Sequence, residues 1–141
     1  MSIESLLSRP VRMLPPDASC HEGAQVLRDE GVGCIVVAED DGRPLGIVTD
    51  RDLVVRAMAA GRDPEKTELR AVMSGEPVFL AHERGIDQVI QTMQLQRVRR
   101  VPIVDAEGRL EGVVALDDLL PLLADQLSEM ASAVRSELQT P

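Results

Sequence analysis

Residues 34–53 read CIVVAEDDGRPLGIVTDRDL, and residues 100–119 read RVPIVDAEGRLEGVVALDDL. Laid over each other at an offset of 66 with no gap, they match Gly42 to Gly108, Arg43 to Arg109 and Gly46 to Gly112. Val48 also meets Val114, Asp52 meets Asp118 and Leu53 meets Leu119. The same offset reaches outward, pairing Val32 with Val98, Leu14 with Leu80 and Ser8 with Ser74. Self-similarity at a fixed period marks a repeated structural unit.

Both copies spell the same order of elements. Val36 to Ala38 and Val101 to Val104 are short apolar runs of buried-strand length. Asp40-Asp41-Gly42 and Asp105 to Gly108 are turns, where glycine supplies positive φ. Leu45 to Val48 and Leu110 to Val114 return, so each copy holds a β-hairpin. Helices are predicted over Cys20 to Glu30 and Ile86 to Gln96. In the second, Ile86, Val89, Ile90 and Met93 recur at three and four residues. Further helices start at Asp50 and Leu116, and short extended pieces, Val11 to Leu14 and Val78 to Ala81, lead in. Ala59 to Pro64 closes the first copy, and Thr67 to Met73 reads as one short helix. The expected boundaries are 5–62 for the first repeat, 63–74 for the connection, 75–125 for the second repeat and 126–141 for a helical extension. A single hairpin cannot bury its face alone. Two hairpins side by side, covered by four helices, give an α/β (α+β) sandwich of two pseudo-twofold-related β-α-β-β-α repeats with clefts between them.

Composition narrows the function. The 141 residues are 44% hydrophobic with no Trp, no Tyr and one Phe, so the core is aliphatic. A net charge of −9 opposes a general nucleic-acid binder, which needs a basic face, but leaves room for a local basic site for one small anion. No apolar run has membrane-spanning length, and no signal peptide is apparent. Cys20 and Cys34 lack metal-ligand spacing, which points to reduced thiols and a cytoplasmic protein.

The sharpest local signal is Gly46 to Asp52, GIVTDRD, where a strand ends and a helix begins. Thr49 suits an N-cap, with Asp52 three residues on as a capping-box partner. That alone makes a well-capped helix. The same geometry also suits a ligand. A helix start offers N–H groups and partial positive charge to phosphate. A hydroxyl adds a hydrogen bond, and a carboxylate one turn on can accept from ribose hydroxyls. Gly46 lets backbone approach closely.

These residues resemble the CBS-domain pair, or Bateman module: Gly, two hydrophobics, Thr or Ser, two variable residues, then Asp. The lead-in Pro15 to Ser19 and the strand Val101-Pro102-Ile103-Val104-Asp105 also look like the family, and the resemblance spans about residues 5–125. It implies a stand-alone regulatory module that binds an adenosine ligand (AMP, ADP or ATP, sometimes S-adenosylmethionine) in two related pockets between the copies. It also implies face-to-face homodimers. In the first pocket it directs Thr49 to phosphate and Asp52 to ribose, with Ile47, Val98 and Phe79 around the base, Ser74 near it and Arg99 close by. The second pocket draws on Ser8, Met13, Val32, Val113 and Asp118. Arg99 and Arg100 stand where the family often carries a phosphate-binding pair. Otherwise they reach solvent or pair with acids. The second copy reads GVVALDD from Gly112 to Asp118, and Ala115 has no hydroxyl, so the Thr49/Asp52 pocket is expected to be the stronger.

No catalytic constellation is present. His21 and His82 read as surface residues without ligand-spaced partners, and Cys34 reads as a small buried hydrophobe. No metal, cofactor or membrane partner is implied, and the regulated protein is unnamed by the sequence. The alternative function is a dimerisation or interaction scaffold with vestigial pockets. Leu116, Leu120, Leu123, Leu127, Met130 and Val134 form a heptad-like seam, and Pro121 falls near its helix start. The part beyond Ser128 is expected to pack on another subunit or to fray.

Overall fold

The computed structural model describes residues 3, 6, 7, 11–74 and 79–139. Among these the duplication is realised strand for strand. In the first copy β1 (Met13–Leu14) lies parallel to β2 (Cys34–Ala38), which pairs antiparallel with β3 (Pro44–Thr49). In the second, β4 (Leu80–Ala81) lies parallel to β5 (Arg100–Val104), which pairs antiparallel with β6 (Leu110–Ala115). The result is two three-stranded sheets of the same order. Even the irregularity is duplicated: register shifts between Val37 and Ala38, and again between Ile103 and Val104. Gly42 and Gly108 close the two hairpins at φ of 88° and 83°, where a side chain would be strained.

The helices end where the chain supplies caps. α1 (Cys20–Glu30) opens on Ser19, whose Oγ accepts from Glu22 N at 3.0 Å, and closes on Gly31 at φ 61°. α3 (Ile86–Gln96) opens with Gly85 N donating to Gln88 Oε1 at 2.7 Å. It closes on Arg97 at φ 56°, the position that glycine fills in the first copy. α2 (Asp50–Asp52) is only the first turn of a longer helical stretch, which widens into a π-helix over Leu53–Met58. α4 (Leu116–Gln139) runs unbroken, so the extension beyond Ser128 is helical through Gln139. Pro121 is its sixth residue, past the first turn rather than inside it. Thr67 to Met73 is not one helix either: only Leu69–Ala71 forms a 3-10 turn. Ahead of it Glu68 is extended against the first copy's lead-in, with Leu69 N donating to Ala18 O at 2.8 Å and Cys20 N to Thr67 O at 2.8 Å, and behind it Val72 and Met73 turn back onto Leu69 O.

The packing crosses over between copies. Leu69 and Val72, which follow the first copy, are fully buried in its core with Leu14, Ile35, Val37 and Val48. Ile3 and Leu6, which lie ahead of β1, are buried in the second core with Val101, Ile103, Val114 and Leu119. Ile3 and Leu69 differ by the repeat offset, as do Leu6 and Val72, so each pair does the same job in opposite halves. The hairpins meet at their turns, where Leu110 N donates to Gly42 O at 2.9 Å. The reciprocal bond is impossible, because Leu110's counterpart is Pro44, which has no N–H.

Candidate functional site

At the end of β3 the chain folds Thr49 and Asp52 onto each other. Thr49 N donates to Asp52 Oδ2 at 2.9 Å, and Thr49 Oγ1 donates to the same oxygen at 3.1 Å. Asp52 N in turn donates to Thr49 Oγ1 at 3.2 Å. This is the capping box that the three-residue spacing predicts, with Asp in the usual Glu place. It occupies one carboxylate oxygen. The other, Oδ1, faces Arg56 Nε at 3.9 Å, and the Asp52 side chain is 18% exposed. Arg56 also reaches the connecting segment, donating from Nη1 to Val72 O at 3.3 Å and Met73 O at 3.0 Å. The corner thus presents a hydroxyl, a half-used carboxylate and a guanidinium, next to a π-helical turn of the kind often found at functional sites.

Gly46 has a different reason than close approach to a ligand. A Cβ there would lie 2.6 Å from Met73 Sδ and 2.8 Å from Ser74 O. Glycine is what lets the connecting segment close on β3. Ser74 is fastened to Ile47 by three bonds: Ser74 N to Ile47 O at 3.0 Å, Ser74 Oγ to Ile47 O at 3.1 Å and Ile47 N to Ser74 Oγ at 3.4 Å. In the second copy Leu7 Cδ2 takes the equivalent place, 2.7 Å from where a Cβ on Gly112 would be. Ser8 lies outside the described residues.

The arginine pair divides. Arg99 turns out to Asp117, Nη2 to Oδ1 at 2.8 Å, with both side chains about two-thirds exposed at 67% and 69%. Arg100 crosses to the first copy. Its Nη2 lies 2.8 Å from where a Cβ on Gly33 would be, and its charge partly offsets the upward push that burial gives the Cys34 thiol. Cys34 is half-buried rather than buried, and it stands opposite Thr49 in the β2–β3 ladder. Arg100 is thereby brought to the strand ends that carry Thr49, while Arg99 is not.

Phe79 precedes β4 and is 44% exposed. Its counterpart Met13, in β1, is 45% exposed, and Val98, just past α3, is 39% exposed. Val32 and Val113 are half-buried, Ile47 is buried, and Val113 pairs with Pro102. Asp118 is half-buried at the start of α4, where Ala115 offers no capping hydroxyl. His82 is not a lone surface residue, because its Nδ1 contacts Glu111 Oε2.

A cavity of about 470 Å³ lies elsewhere, between α1 and the helical stretch after β3. Cys20, His21, Ala24, Leu53, Val54, Met58 and Arg62 are among its lining residues, and none of the expected ligand residues lines it. Among the described residues no group of three or more His, Cys, Asp or Glu side chains could hold a metal ion. None of their helices is long and apolar enough to cross a membrane. Sequence reasoning missed Arg56 and Met73. The i,i+4 spacing of Asp52 and Arg56 was the one available signal.

Three kinds of comparison converge. The CBS domain family matches residues 3–58 and 69–125. The CBS domain-containing protein YhcV of Bacillus subtilis is 36% identical over 118 residues, 84% of this chain and 82% of its own. A CBS-domain containing protein from Agrobacterium tumefaciens superposes with a TM-score of 0.74 at 31% identity, covering 86% of this chain and 98% of that one. A CBS domain protein from Pyrobaculum aerophilum, solved in complex with AMP, superposes with a TM-score of 0.77 at 28% identity, covering 85% of this chain and 91% of that one.

Proposed function

The chain belongs to the CBS-domain family through both of its copies, and from that premise we propose that it is a regulatory module binding an adenosine-containing ligand between the copies. The observation that carries this is the Thr49–Asp52 corner, with Asp52 Oδ1 held only by the long Arg56 ion pair and Arg100 delivered from the opposite copy. The similarity to a protein that binds AMP supports the ligand class.

In this reading the Thr49 hydroxyl rotates from Asp52 to the phosphate, and Arg100 adds charge. Asp52 Oδ1 accepts from ribose, and Ile47, Ser74, Val98 and Phe79 surround the base. Arg99 joins only by leaving Asp117. The site drawing on Met13, Val32, Val113, Asp118 and Ser8 is the weaker one, since Ala115 gives it no hydroxyl. The ligand acts by favouring one arrangement of the pair over another, within the limit set by its differential affinity. The module works as a homodimer in the cytoplasm, signals to a partner protein and catalyses no reaction of its own.

The test is the ligand-induced rise in melting temperature with AMP, ADP, ATP and S-adenosylmethionine. Asp52→Ala removes most of the rise and Asp118→Ala removes less. The shift, not the melting temperature itself, is the readout, because losing the cap costs about 1 kcal/mol by itself. No rise with any of the four would sink the ligand reading. It would favour an interaction scaffold, for which the self-satisfied capping box and Ala115 already argue.

A further inference from the structure

The last helix carries a face that the rest of the described chain leaves open. α4 starts inside the second core, with Leu119 buried and Leu116 and Leu122 packed beside it. Further along, Leu127, Met130, Val134 and Leu138 are 66%, 66%, 57% and 80% exposed. With Leu120 and Leu123 they form a stripe stepping by three and four residues, the spacing of a coiled-coil seam. The family match ends at residue 125, so most of the stripe lies beyond it.

Charge says what covers the stripe. Two copies of a chain with net charge −9 repel each other over most of their surface. From Leu120 to Val134 the stripe and its flanks, Ala124, Gln126, Ala131 and Ala133, carry no charge, and the one acid on the seam is Glu137 near its end. A like copy can therefore approach here without meeting its own acids, and the alanines let two helix backbones come close. We propose that this stripe is closed by the same stripe of a second copy, as an antiparallel two-helix seam.

The direction follows from Glu137, which falls on the seam one heptad after Met130. Parallel helices would set Glu137 against its own twin. Antiparallel helices set Leu123 opposite the partner's Val134 and Leu127 opposite the partner's Met130. Glu137 then moves to the end of the seam, beside the partner's Leu120. The inference deepens the pairing stated above and is independent of any nucleotide.

Sedimentation velocity of the full chain tests it. The expected dimer is weakened about tenfold or more by Leu127→Asp, which places a charge in an apolar seam. Ser132→Asp, the same charge on the opposite face of α4, leaves it intact. Both positions are exposed, so an unchanged far-UV circular dichroism spectrum certifies the fold. A spin label at Gln139→Cys in a Cys34→Ser background reads direction. At 1.5 Å rise per residue, antiparallel helices hold the two labels roughly 30 Å apart. Parallel helices, at interaxial distances of 8–10 Å and with Gln139 on their outer faces, hold them about 20–25 Å apart, nearer than the antiparallel axial offset alone. A monomer overturns the pairing and the seam together. A dimer indifferent to Leu127→Asp overturns the seam alone, and a short label distance overturns its antiparallel direction.

Discussion

Gly46 and Gly33 both sit against something that arrives from elsewhere in the chain, and they respond differently to a side chain. At Gly46 the obstruction includes a backbone oxygen, Ser74 O, at 2.8 Å from a would-be Cβ. It cannot retreat without breaking the bonds that fasten Ser74 to Ile47. Gly46→Ala is expected to cost about 1–3 kcal/mol, as overpacking does. At Gly33 the obstruction is the far end of Arg100, which can swing away cheaply. Gly33→Ala therefore leaves stability nearly unchanged but moves the guanidinium off the strand ends that carry Thr49. Melting curves and nucleotide titrations on the two variants check this. Equal losses of stability would contradict it.

Among the elements, α4 holds a testable strain. Pro121 lacks the N–H that would bond to Asp117 O, and in a helix interior proline costs up to about 3 kcal/mol relative to alanine. Pro121 is exposed, so water reaches the freed carbonyl, and Pro121→Ala is expected to raise the melting temperature. A fall would show that the proline shapes the helix's packing. The elements readable in the sequence are those specified locally. α1 and α3 begin and end where the pattern places them, because Ser19, Gly31 and the Ile86-Val89-Met93 stripe lie within a few residues of the ends they define. The Thr49–Asp52 contact was legible for the same reason. The π-turn over Leu53–Met58 was not, and neither was the shortening of 67–73 to one 3-10 turn over Leu69–Ala71. Both depend on partners far off in sequence: Arg56 reaching Val72 O and Met73 O, and Thr67 and Leu69 bonding back to Cys20 and Ala18. The parting of Arg99 from Arg100 is likewise set by Asp117 and Gly33, which no local spacing reveals.

Across the whole molecule, the first core is filled from one stretch, residues 14–73, whereas the second joins residues 3–7 to residues 80–122. Ile3, 4% exposed, belongs to the second core and Leu69, 0% exposed, to the first. Each of Ile3→Ala and Leu69→Ala is expected to cost about 2–5 kcal/mol, the range for large-to-small changes in a core. Hydrogen exchange separates them. Ile3→Ala should speed exchange in β5 and β6, although residue 3 lies ahead of β1, while Leu69→Ala should speed it in β2 and β3. Faster exchange in β2 and β3 from Ile3→Ala would refute the crossover. The crossover also sets an order of events on the ribosome, since chains emerge and fold from the N-terminal side. Once residue 74 has emerged, the first core has every side chain it uses. Ile3 and Leu6, synthesised before all of it, must wait in water until Leu119 appears: they are made early and buried late.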